Sequence, residues 1–129
     1  MKKDIVGIDD IIVLVNEFYS KVQKDDLLSP IFYAHIPNDW QPHLEKMYQF
    51  WSAALLGVKG YAGNPFAKHA HMPLTKEYFD RWLYWFTQTI DAHFEGPVAD
   101  DAKMRANIMA NTFLARLSMK GYKSINTIV

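Results

Sequence analysis

Apolar residues recur at three- and four-residue spacing along most of this chain, and clusters of Pro, Gly and Asp separate the stretches. Ile11, Val15, Phe18, Tyr19 and Val22 share one face of a first helix, expected from about Ile8 to Lys24 and ended by Asp25 and Asp26. Leu27, Leu28, Pro30, Ile31 and Phe32 then form an apolar elbow. It suits a short helical turn, capped by Ser29 with Pro30 at the first helical position. The second main helix is expected from about Asn38 to Leu56, capped by Asn38 or Asp39, with Pro42 in its first turn and Gly57 as its stop. At about 100° per residue, Met47, Phe50 and Ala54 fall within roughly 40° of His43, so His43, Met47, Phe50, Trp51 and Ala54 form one broad face, which Leu55 extends.

Gly57 to Pro73 breaks the pattern. Three glycines and two prolines lie there with little periodicity, and a connection of that length in a helical domain is often functional. It contains His69 and His71. Periodicity resumes at Thr75, where the usual capping-box glutamate stands one residue early, at Glu77. Tyr78, Trp82, Trp85, Phe86 and Thr89 form the inner face, flanked by Phe79 and Leu83, and Gly96 and Pro97 end the helix. A last helix is expected from about Asp100 to Met119. Met104, Ile108, Thr112 and Ala115 lie on one side of it, and Met109, Phe113 and Leu117 on another. Residues 120–129 read as a frayed tail. No alternating strand pattern competes, so the fold class is all-α.

Composition narrows the function. The chain has 129 residues, the size of one domain, and half of them are hydrophobic. Four Trp, seven Tyr and eight Phe suit a well-filled core, or a core that also wraps a large flat apolar ligand. Fourteen basic residues balance fourteen acidic ones without a basic stripe, which argues against nucleic acid or an anionic membrane as partner. There is no cysteine, so disulfides, thiolate ligands, thiol catalysis and covalent haem attachment are excluded. The first residues lack the unbroken apolar run of a signal peptide and no transmembrane stretch occurs, so a cytoplasmic protein is the default expectation.

Candidate chemistry centres on histidine. His69-x-His71 could bring two imidazoles to one ion, yet a zinc site needs further ligands, and His35, His43 and His93 show no H-E-x-x-H spacing. Loop histidines are most often solvated, so spacing alone leaves a surface role, zinc and haem all open. Haem needs one neutral imidazole and a large apolar cleft, which Phe32, Met47, Trp51, Trp82 and Phe86 could supply. Ordinary core packing explains the same stripes. No nucleophile elbow, phosphate loop or carboxylate pair is present.

Several short motifs occur in order: Phe18-Tyr19-x-x-Val22, Leu28-x-Pro30-Ile31-Phe32, Trp40-x-x-His43 leading to Phe50-Trp51, and Leu55-Leu56-Gly57. Tyr61-x-Gly63-x-Pro65-x-x-x-His69 and Tyr78-Phe79-x-Arg81-Trp82-Leu83-x-x-Phe86 follow. Each is weak alone. As an ordered set, from about residue 8 to 117, they resemble the third group of truncated haemoglobins. The single glycines agree, since that group lacks the paired-glycine motifs of other truncated globins.

The resemblance implies a globin-like two-over-two helical sandwich around haem b, formed by one domain over residues 1–129 with its core at about 8–119. It implies that His69 is the proximal iron ligand and Tyr19 the distal tyrosine beside bound gas. His43 matches the distal-helix histidine, either a third donor or a gate. Trp82 matches the pocket tryptophan and Phe32 the phenylalanine against the porphyrin, while Met47 and Trp51 follow at haem-facing positions and Phe86 completes the cofactor set. Met47 departs from the branched aliphatic residue expected there, and its thioether is flexible and oxidisable. His71 is left at the surface or near a haem propionate. The implied ligands are O2, CO, NO or peroxide, with a reductase as partner, and the implied activity is oxygen binding or NO and peroxide redox chemistry. A haem-free helical module that binds a partner or regulates is the alternative.

Overall fold

In a computed structural model the described residues are 2–61, 63 and 74–128, with side chains described to 117. They form five α-helices: α1 (Ile8–Lys24), α2 (Leu28–His35), α3 (Gln41–Leu56), α4 (Lys76–His93) and α5 (Pro97–Ile128). The architecture is a two-over-two sandwich. α1 packs on α3, α4 packs on α5, and the layers meet chiefly where α1 crosses α4. Expected and observed α1 coincide, and all five residues of its anticipated face are buried, joined by Leu14. The core continues through Trp51, Phe86 and Ile90 to Phe94.

Two helices begin where a distant or preceding aspartate supplies the cap. The α2 elbow is not capped by Ser29. Asp25 takes that role, its Oδ1 accepting the Leu27 and Leu28 amides at 2.9 Å each, so the helix opens at Leu28. The other oxygen, Oδ2, accepts from Arg81 Nη1 and from the Trp85 indole of α4, both at 2.6 Å. The last helix starts at Pro97 rather than Asp100. Pro97 occupies a first-turn position, and the Asp4 carboxylate accepts the Val98 and Ala99 amides at 3.0 and 2.9 Å across 94 and 95 residues of sequence. Its backbone stays helical to Ile128, beyond the point where apolar periodicity stops. Gly96 permits the Asp4 contact. Its φ is 145°, and a Cβ there would lie 2.5 Å from the Asp4 carboxyl carbon.

The other termini follow simpler rules. Asp39 accepts the Gln41 amide at 3.0 Å, so α3 begins three residues after Asn38, and Gly57 ends it in the left-handed conformation at φ 69°. Thr75 precedes α4 without a side-chain cap, consistent with the displaced glutamate. The α5 face against the core is built from Ala99, Ala102, Ala106 and Ala110. These small side chains let α4 and α5 approach closely. Met104 and Ile108, on the opposite side, are more than half exposed.

Asp25 carries a pH signature. Burial alone would raise its pKa, but hydrogen bonds from Trp85, the Leu28 amide, Arg81 and the Leu27 amide outweigh it and hold the carboxyl at about 2. A depressed carboxyl stabilises the fold above the unfolded value and loses that contribution as pH falls through the folded value. Unfolding free energy should therefore drop between about pH 4 and pH 2, and this slope should flatten in Asp25→Asn. Asp25→Ala, which leaves buried donors and Arg81 without their acceptor, should lose about 3–5 kcal/mol in urea unfolding. Gly96→Ala should lose about 1–3 kcal/mol through backbone strain and a displaced Asp4 cap.

Candidate functional site

A cavity of about 780 Å³ lies between the two layers. This is within the roughly 300–1,000 Å³ of pockets that enclose small organic ligands. Every described helix contributes. Phe18 and Tyr19 come from α1, Phe32 from α2, His43, Met47 and Trp51 from α3, Tyr78, Phe79 and Trp82 from α4, and Met109 and Phe113 from α5. The walls are thus mainly aromatic and aliphatic. Polar groups gather elsewhere on the lining, among them His35, Asp39, Lys46 and Gln49, all exposed and so suited to a mouth.

The aromatic packing fixes the inner walls. Phe18 meets Tyr19, Trp82 and Phe86 edge-on, at centroid separations of 4.8, 5.5 and 5.4 Å. Trp82 lies nearly parallel to Phe86 at 5.2 Å, and Trp51 stacks on the same ring at 4.9 Å. Phe86 therefore stands behind the cavity, as the floor on which Trp82 and Trp51 rest, and it does not line the space itself.

Tyr19 is the most informative polar group. Its ring is held by Phe18, Phe32, Trp40 and His43, and the residue lines the cavity. Burial pushes the phenol well above its ordinary pKa, so it stays a protonated donor at physiological pH. Trp82 likewise lines the cavity, its indole ring set against Phe18 and Phe86. His43 meets Tyr19 edge-to-face at 5.0 Å and Trp40 at 6.2 Å. Trp40 Nε1 is buried behind this group and unpartnered among the described residues.

Of the residues singled out in the sequence, Tyr19, Phe32, His43, Met47, Trp51 and Trp82 converge on one cavity. His69 and His71 lie outside the described residues. His35 donates through Nδ1 to the Ile31 carbonyl at 3.0 Å, and His93 sits exposed at the end of α4. Among the described residues no group of three His, Asp or Glu side chains could hold a metal ion, and no helix is long and apolar enough to cross a membrane. Sequence reasoning missed Tyr78, Phe79, Met109 and Phe113 as cavity walls. The first two were placed on or beside the inner face of α4 without being assigned to a cavity, and the others required knowing which side of α5 faces inward.

A family model for bacterial-like globins matches residues 3–117. The group 3 truncated hemoglobin ctb of Campylobacter jejuni is 32% identical over 117 residues, spanning 88% of this chain and 92% of that protein. The group 2 truncated hemoglobin YjbI of Bacillus subtilis is 32% identical over 93 residues, 68% of this chain and 67% of that protein. The crystal structure of the group III truncated hemoglobin from Campylobacter jejuni matches the fold with a TM-score of 0.84 at 32% identity, covering 91% of this chain and 95% of the other. The truncated oxygen-avid haemoglobin from Bacillus subtilis matches with a TM-score of 0.74 at 27% identity, covering 84% and 94%.

The protonated state of Tyr19 is directly measurable. In an alkaline titration followed by phenolate absorbance, Tyr19 should ionise only with unfolding. Tyr19→Phe should remove the absorbance change that accompanies unfolding in this titration.

Proposed function

This chain belongs to the bacterial-like globin family, among the truncated haemoglobins of group III, and on that footing we propose that its cavity holds haem b and takes up O2 or another diatomic ligand. The observation that carries this reading is the cavity itself: apolar walls from five helices, with a buried protonated phenol and an indole N–H on the lining. The residues present suit a flat, largely apolar macrocycle. Phe32, Met47, Trp51 and Trp82 would lie against it, and the exposed polar residues of the lining suit carboxylates left in water. With no cysteine in the chain, the group would be bound without covalent attachment, and His69 is the residue assigned to its iron. When bound, haem supplies a ferrous iron at which a diatomic gas attaches reversibly.

The protein's part is to hold and discriminate the ligand. Tyr19 and Trp82 can each donate a hydrogen bond to a ligand that gathers partial negative charge. A hydrogen bond to a charged group contributes about 1.5–3 kcal/mol, or roughly 10- to 150-fold in dissociation. Phe18, Phe32 and Phe86 hold these donors in place without competing for their protons. Tight retention suits a sensor or a reaction chamber better than bulk transport.

Purified protein titrated with haem should develop a Soret band, and its absence would reduce the chain to a haem-free helical module. His69→Ala should alter or abolish that band, and an unchanged spectrum would take His69 off the iron. Tyr19→Phe should speed O2 release by about 10-fold or more. An unchanged rate would transfer the holding role to Trp82 or His43.

A further inference from the structure

The carboxylate of Asp25 divides its two oxygens between two helices. Oδ1 receives the amides that open α2, and Oδ2 receives Arg81 and Trp85 of α4. Each of those helices carries a cavity wall. Phe32 lies on α2 one turn beyond Leu28, and Trp82 lies on α4 directly after Arg81 and one turn before Trp85. α2 and α4 meet only sparsely elsewhere. Among the described residues, the ring contacts of Trp82, stacked on Phe86 and edge-on with Phe18, permit sliding in a way that directed hydrogen bonds do not. The side chain of Asp25 is 2% exposed and does not line the cavity.

We infer that Asp25 is a positioning residue for the ligand cavity: by joining the start of α2 to Arg81 and Trp85, it sets the spacing of Phe32 and Trp82 and the aim of the Trp82 donor. Phe32 and Trp82 stand on opposite sides of this bridge, so a shift of α4 along its axis moves one relative to the other. The consequence for ligand retention rests on the haem reading above, whereas the consequence for Trp82 orientation does not.

The test compares Trp85→Phe and Asp25→Asn with Asp4→Asn. Trp85→Phe deletes one donor to Asp25 and keeps an aromatic ring. Asp4→Asn weakens a comparable carboxylate cap at the start of α5, where no residue of the cap lines the cavity. Two signals are read. One is the Trp82 indole cross-peak in a nitrogen–proton correlation spectrum of haem-free protein, and the other is CO release together with the CO stretching band of haem-loaded protein. In Trp85→Phe and Asp25→Asn the Trp82 cross-peak should move, the CO band should shift, and release should change by about threefold or more, as expected when a donor hydrogen bond is partly lost. In Asp4→Asn all three should stay at wild-type values even though thermal stability falls. A Trp82 cross-peak unmoved in Trp85→Phe, or moved equally in Asp4→Asn, would overturn the positioning role and leave Asp25 as a stabilising cap. If Asp25→Asn fails to fold, Trp85→Phe decides. If wild-type protein takes up no haem, the haem reading fails while the cross-peak still decides the role of Asp25.

Discussion

A charge taken out of water must be matched by donors on every side, and at Asp25 that demand organises a large part of the molecule. Burial penalises the carboxylate. Four hydrogen bonds, from two backbone amides, a guanidinium and an indole, reverse the penalty. Those donors come from the start of α2 and from the middle of α4, so satisfying one anion fixes how the chain leaves α1, where α2 begins and where α4 lies against both. Hydrophobic burial supplies most of the stability of such a fold, but it is non-directional. The aspartate supplies the register.

The cavity combines features that rarely coexist. Its walls are apolar, yet Tyr19 and Trp82 bring polar hydrogens into them. Placing polar hydrogens in such surroundings is costly unless an acceptor matches them, and the dense ring packing around Phe18 and Phe86 holds them there. The same surroundings keep the phenol protonated, so the donor is ready before any ligand arrives. A pocket organised in this way spends little on reorientation when it takes up a small ligand.

Periodicity made most of the fold legible. The 100° rule assembled the faces of α1 and α3, and it placed Tyr19, His43, Met47 and Trp51 toward a common interior because those positions recur one turn apart. Capping was less legible, for a definite reason. Ser29 and Asp100 are plausible starts on local rules, but the groups that cap α2 and α5 are Asp25, which a local scan reads as a helix stop, and Asp4, which lies more than ninety residues away. Phe86 illustrates a second limit. Its spacing from Trp82 places it on the same face, and only the stacking order, Trp82 and Trp51 over Phe86, reveals that it supports the wall without forming it. On α5 two apolar sides competed, and the inward one is marked by alanines whose small size carries no strong sequence signal.

The contact between Asp4 and the start of α5 has a bearing on how the protein is made. Asp4 is synthesised before Val98 and Ala99, with four of the described helices between them. Domains fold as units during synthesis, beginning from the N-terminus. Here an acceptor precedes its donors by more than ninety residues, and until they arrive α4 lacks the alanine surface of α5. A polypeptide stalled before Pro97 would therefore lack both the donors to Asp4 and the alanine face of α5, and would display an open apolar flank on α4 to chaperones and proteases.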